Sequence, residues 1–377
     1  WDRRIVTATY SGPRLGRGAR TALVLPHHRA EVLRRAEQRL DHRAGIGEGL
    51  VEIIGLEGFE LVADHMVESG LLGHDSHSVL RYPQYVNMVR DGAVKPGAKL
   101  EILQELPRMA QVSGNWNFGP VTATAAVELA LDKARDAALS VVTVKHCNHV
   151  ARLGRFAALA ARENLIGMIC ANGHGSDLAV APFGGRERRL PTNPISVAIP
   201  TGAHEWPVVL DMTTSMTSGG ALREYRNRNE AVPEGSITDA EGEPTTDVED
   251  YYAGGAILPL GFPATGHKGT GLALVIDVLA GALSGAGCSQ ADPTETGNAL
   301  FIAVLNPEAF LPLEEFTAEV DRFIDWVKSS PPAAGFDEVL LPGENSHRIY
   351  QERSRRGMDV DTTAWEQIAE LAEELGV

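Results

Sequence analysis

The chain has 377 residues, 44% of them apolar and 22% charged. That is enough to bury a large core in two or three domains, and its 39 glycines and 21 prolines follow no collagen-like or low-complexity period. A formal net charge of −16 argues against nucleic acid or an anionic membrane as the partner, because both demand concentrated Lys and Arg.

The charge is unevenly spread. Residues 1–50 hold ten Arg, no Lys and five acids, a net of +5, which leaves −21 for residues 51–377. This basic segment lacks interleaved aromatics and is read as an extension outside the fold or a misread start. Its longest apolar run, Thr21 to Pro26, is too short for a signal peptide.

From about Gly55 the pattern turns regular. Phe59, Leu61, Val62, His65, Met66 and Leu71 recur at three and four residues and predict a helix ending near Gly70. Residues 121–138 predict an Ala-rich helix, and L-S-V-V-T-V at 139–144 a buried strand leading into His146. A helix at Leu153–Asn164 and strands at Ile166–Ala171, 195–200 and Val208–Leu210 follow. Thr192-Asn193-Pro194 reads as a turn whose Asn bonds its own backbone. After a loop-rich stretch, a glycine-punctuated apolar helix begins at Lys268, and 300–306 is a strand. The apolar stretch Gly271–Gly287 contains Asp277 and falls short of a membrane span. Helices close the chain at Leu313–Ser329 and Thr363–Leu375. Strands alternating with helices indicate an α/β core.

Domain bounds follow from this order. Residues 51–110 and 311–377 form one discontinuous helical domain built from both chain ends, and 111–310 form the central α/β (α+β) domain.

Two motifs carry chemistry. His74 and His77 stand three apart in G-H-D-S-H, and His146 and His149 repeat that spacing in K-H-C-N-H. A metal would need a third ligand, and the spacing is not that of H-E-x-x-H; Asp75 and Cys147 are the available candidates. The other reading is proton transfer by single members. Arg81 lies four residues beyond His77, so on a helix starting there the two share a face, and an imidazole beside a carboxylate-gripping guanidinium suits reduction of a 2-oxo acid. No G-x-G-x-x-G occurs, and in G-F-P-A-T-G-H-K-G-T His267 interrupts the phosphate-loop pattern. The cysteines Cys147, Cys170 and Cys288 give neither a C-x-x-C motif nor an even count, as in a reducing, cytoplasmic setting.

G-H-D-S-H-S-V-L-R-Y-P-Q-Y-V at 73–86 resembles the D-S-H-G-x-x-R-x-P-x-Y block of the type-2 malate/L-lactate dehydrogenase family, and further blocks follow in that family's order. They are H-C-N-H-V-A-R-L-G at 146–154, A-P-F-G-G-R-E-R-R-L-P-T-N-P at 181–194, V-V-L-D-M-T-T-S at 208–215 and G-H-K-G-T-G-L-A-L at 266–274. W-V-K-S-S-P at 326–331 and L-L-P-G-E at 340–344 complete the set. One block alone is weak; the ordered series, spanning about Phe59 to Gly376, is specific.

The resemblance implies a nicotinamide-dependent oxidoreductase acting on a 2-hydroxy or 2-oxo acid, with a non-Rossmann cofactor domain, NAD or NADP as cofactor, no metal, and a homodimer. By matching position, His149 is the acid/base group, His77 lies between substrate and nicotinamide, and Arg81 binds the carboxylate. Cofactor contacts are implied at His77, Arg152 and Leu153, and at Leu210, Asp211, Met212 and Thr213. His267 and Lys268, Asn298, and Gly343, Glu344 and Asn345 complete them. Lys268 is read against the pyrophosphate or as a solvated lysine, and Asp211 as a nicotinamide-side or ribose contact or a helix cap. His74 and His146 are expected to be structural. Ser78 and Ala151 replace family glycines, and a β-carbon there costs about 1 kcal/mol or more wherever the glycine has positive φ. The alternatives are a metal-dependent hydrolase using both His pairs and a catalytically silent binding homologue.

Overall fold

The computed structural model describes residues 21–23, 56–173, 178–293, 295–360 and 362–375. The chain divides into two compact units, one of residues 1–97 and 345–377 and the other of residues 98–344.

The second unit is built on a seven-stranded mixed sheet. Its strands are β2 (Glu101–Leu106), β3 (Met109–Ser113), β4 (Leu139–Cys147), β5 (Ile166–Asn172), β6 (Ile195–Ile199), β7 (Val208–Met212) and β10 (Asn298–Leu305). They lie in the order β2-β3-β4-β10-β5-β6-β7. Only β3 and β4 are parallel neighbours; the other pairings are antiparallel. Because β10 runs antiparallel to both β4 and β5, those two run parallel to each other, and the connection between them is a split β-α-β unit.

The central strand β10 is apolar almost throughout, as a strand covered on both faces must be. Leu300, Ile302 and Val304 point to one face, where they meet α3 (Gly119–Arg135) and α4 (Gly154–Arg162). Phe301 and Ala303 point to the other, against Ile276 and Ala280 of α7 (Gly266–Asp277) and the π-helical turn that continues it to Ala282. The period-2 alternation of one strand thus joins two helical layers. Helix α3 has Pro120 in its first turn and buries Ala123, Ala126, Val127, Ala130, Leu131 and Ala134, a stripe of small residues that lets the helix approach the sheet. The edge strand β2 is exposed along its length and carries Glu101 and Glu105, charges that discourage further strand addition. A second core joins Leu222 of α5 (Gly219–Arg228), Ile237 of β8 (Ile237–Thr238) and Val248 and Tyr251 of α6 (Val248–Tyr252) to Ile257 and Ala273; β8 pairs with β9 (Pro244–Thr245). Helix α8 (Leu313–Lys328), grouped by its pattern with the terminal helices, falls in this unit.

The first unit holds α1 (Leu56–Leu71), α2 (Tyr82–Arg90), α9 (Glu344–Arg356) from Asn345 onward, β11 (Met358–Val360) and α10 (Thr362–Leu375). Val79, Met358 and Val360 form one of its buried clusters, with Tyr82, Trp365 and Ile368 packed against it. The expectation for residues 1–50 lies outside the described residues except at 21–23, where β1 (Thr21–Leu23) pairs antiparallel with β11.

Candidate functional site

In the first unit the segment after α1 does not continue as an α-helix. Asp75–His77 and Val79–Arg81 are two successive 3-10 turns, and α2 starts only at Tyr82, with Pro83 in its first turn. The expected shared helical face of His77 and Arg81 is therefore replaced by a tighter geometry that side-chain bonds define. Arg81 Nε donates to the Ser76 carbonyl at 2.7 Å and Nη1 donates to Gln84 Oε1 at 2.6 Å, which orients the guanidinium. His77 Nδ1 lies 3.1 Å from Ser76 Oγ, so Ser76 supports both residues.

Ser78 is buried, with φ −94°, a conformation open to any residue, and its hydroxyl donates to the Asp75 carbonyl at 2.6 Å. The strain anticipated for it is absent. Asp75 itself receives both Nη groups of Arg353, at 2.5 and 3.1 Å. His74 Nε2 faces Ser346 Oγ at 3.4 Å.

In the second unit the other His pair lies at and just beyond the carboxyl end of β4. The Nδ1 of His146 is 3.0 Å from Ser113 Oγ, its ring stacks at a tilt on Trp116, and its Nε2 is 3.5 Å from a Glu295 carboxylate oxygen. His149 is half-buried on the loop that follows. Its backbone is held on both sides. Upstream, Asn148 Nδ2 donates to the carbonyls of Trp116 and Asn117 at 2.8 and 3.1 Å; downstream, the Val150 N–H donates to Asn298 Oδ1 at 3.1 Å. A Cβ on Gly119 would stand 2.1 Å from the His149 carbonyl oxygen, so only glycine lets α3 start this close to the loop.

Left-handed backbone gathers in the same region: Asn115, Trp116, His146 and Ala151 all have positive φ, with Ala151 at 59°. The anticipated cost of the missing glycine thus falls on Ala151 alone. Cys147, between the two His residues, is fully buried, and that burial pushes its thiol up to about 12.

Past Ala151 the chain enters α4. Arg152 is buried with Nη1 4.0 Å from Asp211 Oδ2, and the same oxygen accepts the Gly154 N–H at 2.7 Å. Asp211, on β7, therefore caps the start of α4 and pairs with Arg152. Burial pushes its carboxyl above the usual carboxylate range, against the opposing pull of Arg152 and the Gly154 N–H. Leu153 is buried and Leu210 exposed, while Met212 and Thr213 are half-buried, with the Thr213 hydroxyl donating to the Ser215 carbonyl at 3.1 Å.

Helix α7 begins at Gly266, two residues before the expected Lys268, and Thr265 gives it no side-chain cap. His267 and Lys268 are exposed on its first turn, and the His267 ring meets Phe183 edge-on. Asn298 opens β10. Gly343 has φ 87° and lies against Val209. The buried carboxylate of Glu344 accepts from Lys328 Nζ with both oxygens at 2.6 Å and from the Leu341 N–H at 3.1 Å. Asn345, exposed, belongs to the first unit.

Asn193 does not bond its own backbone as expected. It is fully buried and its Nδ2 donates to Ala273 O and Asp277 Oδ2, because α7 offers buried acceptors that outcompete a local turn bond. The supporting roles of Asn148, Asn172 and Asp277 were not foreseen. For Asp277 a signal existed: it is the only charged residue of 271–287, and a lone charge in an apolar run marks a paired, buried carboxylate.

His77 and Arg81 thus stand in the first unit and His149, Arg152, Asp211, His267, Lys268 and Asn298 in the second. Among the described residues no group of three or more His, Cys, Asp or Glu side chains is placed to hold a metal ion, and no helix is long and apolar enough to cross a membrane.

Residues 56–369 match the family model for malate/L-lactate dehydrogenase. The chain is 36% identical to malate dehydrogenase of Pyrococcus horikoshii over 328 residues, covering 85% of this chain and 90% of that protein. It is 37% identical to L-sulfolactate dehydrogenase of Methanocaldococcus jannaschii, covering 85% and 91%, and 31% identical to hydroxycarboxylate dehydrogenase B of Escherichia coli K12, covering 84% and 88%. The solved structure of the Pyrococcus horikoshii enzyme superposes with a TM-score of 0.77 at 33% identity, covering 87% of this chain and 92% of that one.

Proposed function

The chain belongs to the malate/L-lactate dehydrogenase family, and from that premise we propose hydride transfer between a nicotinamide cofactor and C2 of a 2-hydroxy or 2-oxo carboxylic acid. The observation that carries the reading is the setting of His149. A half-buried imidazole, matched in position to the family's acid/base histidine, sits on backbone pinned by Asn148, Asn298 and Gly119.

His149 takes the hydroxyl proton during oxidation and returns it to the keto oxygen during reduction. An imidazole changes charge near neutral pH, and its protonated form stabilises a developing alkoxide without a metal. Arg81, oriented by Ser76 and Gln84, grips the substrate carboxylate through the planar guanidinium fork. His77 polarises the carbonyl. Family membership argues against the metal-dependent hydrolase.

The cofactor, when bound, supplies or receives the hydride. The chain's residues fit it. The uncapped start of α7, with Lys268 on its first turn, has the donors and charge that a pyrophosphate requires. The start of α4, by contrast, is already filled by Asp211, so Arg152, Leu153 and Asp211 shape the pocket wall while Leu210, Met212 and Thr213 line its β7 side. Asn298, His267 and the Gly343–Asn345 turn complete the assignment. A sheet with one parallel neighbour pair supports a non-Rossmann cofactor domain, and the two compact units support its separation from a helical domain built from both chain ends.

NAD is the assigned cofactor, with NADP as the alternative, and the malate and sulfolactate activities named for relatives point to short 2-hydroxy acids. A homodimer is part of the reading. It is supported by the exposed apolar side chains Leu274, Val275 and Val278 on α7 and its extension and Leu283 just beyond it. We assign the protein to the cytoplasm.

The test is isotopic. With cofactor deuterated at C4 and a panel of 2-oxo acids, the reading predicts deuterium at C2 of the product; label lost to solvent, or no reduction of any acid, contradicts it.

A further inference from the structure

We propose that Asp277 is a positioning residue for His149, acting through Asn172 and Asn298; the inference rests on the acid/base reading of His149 given above. Asp277 is 3% exposed at the end of α7, in an otherwise apolar stretch. Its two oxygens accept four hydrogen bonds. Oδ1 takes Asn172 Nδ2 at 3.0 Å and the Ser289 N–H at 3.1 Å, and Oδ2 takes Asn193 Nδ2 at 3.0 Å and Ser289 Oγ at 2.6 Å. The carboxylate thereby ties together the end of β5, the turn before β6 and the loop after the π-helical turn.

The path to His149 continues through Asn172, which is fully buried. Its Nδ2 also donates to the Gly287 carbonyl at 3.2 Å, its Oδ1 accepts the Ala299 N–H at 3.3 Å, and its own carbonyl accepts Asn298 Nδ2 at 3.0 Å. Asn298 Oδ1 then accepts the Val150 N–H at 3.1 Å, one residue from His149. A register shift between Asn298 and Leu300 places Asn298 opposite Cys147, beside the end of β4, where it reaches that N–H.

Two further features fit a site built for placement. A Cβ on Gly281 would lie 2.5 Å from Asn172 Nδ2 and 2.3 Å from the Gly287 carbonyl, so a side chain there would push on the Asn172 amide. The π-helical turn begins immediately after Asp277, a distortion that is frequent at functional sites. A buried carboxylate is a poor way to add stability, since well-packed apolar side chains of the same volume do as well or better. What it supplies is several bonds of fixed direction converging on one loop.

The experiment compares kcat, KM and the pH profile of kcat for the NADH-dependent reduction of a 2-oxo acid in the full-length wild type, Asp277→Asn, Ser289→Ala, His149→Ala and the Asp277→Asn/His149→Ala double variant. Asn at 277 keeps the shape but sets an NH2 group against donors. Misplacing a catalytic group by about 1 Å costs about 100-fold, so kcat of Asp277→Asn is expected to fall about 10- to 100-fold with KM little changed and its pH profile shifted. In the His149→Ala background the same change should cost nothing further, because a residue that acts through His149 has nothing left to act on. Ser289→Ala removes one bond at a half-buried loop position. It should lose about threefold in kcat at constant KM, a fraction of the Asp277 effect, and it decides the matter where Asp277→Asn does not fold.

Unchanged kcat in a folded Asp277→Asn, or in Ser289→Ala where only that variant folds, overturns the inference, as does an equal loss with and without His149. An impaired His149→Ala beside an unimpaired Asp277→Asn sinks the inference alone. A His149→Ala enzyme with wild-type kcat sinks the acid/base reading and the inference with it.

Discussion

Ala151 holds φ 59° two residues after His149, with its side chain buried. Left-handed backbone costs a non-glycine residue about 1–2 kcal/mol, and glycine gives back about 0.4–1 kcal/mol through its freer unfolded chain. Ala151→Gly should therefore raise stability by up to about 1.5 kcal/mol, read as a higher Tm in thermal denaturation; a lower Tm would mean that the methyl contacts outweigh the strain. The thiols give a second residue-scale prediction. Burial pushes Cys147 and Cys170 up to about 12, so at pH 8 only about one molecule in 10,000 carries either as a thiolate. A disulfide reagent at pH 8 should leave both unlabelled in the folded protein and label them after denaturation. At this scale the acid/base and carboxylate-binding candidates were legible only because the sequence blocks matched in order. The His-x-x-His spacing by itself left metal binding open. It could not show that Arg353, far along the chain, holds Asp75, nor that Cys147 is sealed from solvent.

Asp211 connects two elements, since its carboxylate on β7 caps α4 and faces Arg152. Removing one member of a buried pair strands the other, so Asp211→Ala should cost about 3 kcal/mol, while Asp211→Asn, which keeps an acceptor for the Gly154 N–H, should cost about half that. Chemical denaturation of the two variants checks the ranking; equal losses would mean that the acceptor Asn keeps for the Gly154 N–H contributes nothing and that the loss comes from the charge facing Arg152. Elements with clear periodicity were readable: α1, α3, α4, β4, β5, β6, β7 and β10 fall within a few residues of their expected bounds. Those left unread lack the signal. Strand β2 is exposed along its length, so nothing alternates, and α9 reads E-N-S-H-R-I-Y-Q-E-R-S-R-R, held partly by the Arg353–Asp75 pair instead of an apolar stripe. The turns at 75–81 break into 3-10 geometry because Ser76 and Asp75 carbonyls compete for the Arg81 and Ser78 side chains, a choice made by contacts the linear pattern does not encode.

For the molecule as a whole, pH enters through the first unit's core. Burial, with a smaller contribution from Asp64, pushes the Tyr82 hydroxyl up to about 12. The unfolded chain ionises this group near pH 10 and the folded one does not, so its contribution to stability is full below pH 10 and is lost as pH rises toward 12. Tm should fall between those values, and less steeply in Tyr82→Phe; equal slopes would show that Tyr82 does not govern the alkaline limit. The α/β class followed from the alternation of predicted elements, but the strand order did not. β10 enters between β4 and β5 from more than 100 residues away, a pairing that local patterns do not announce.

The central claim, hydride transfer to a 2-oxo acid with His149 as the proton donor, is tested most directly by NADH oxidation at 340 nm with a 2-oxo acid, with and without EDTA, for the wild type and His149→Ala. Turnover should be untouched by EDTA, and His149→Ala should lower it by about 100-fold or more, the usual contribution of a positioned acid/base group. Turnover that EDTA abolishes, or a His149→Ala enzyme as fast as the wild type, would contradict it.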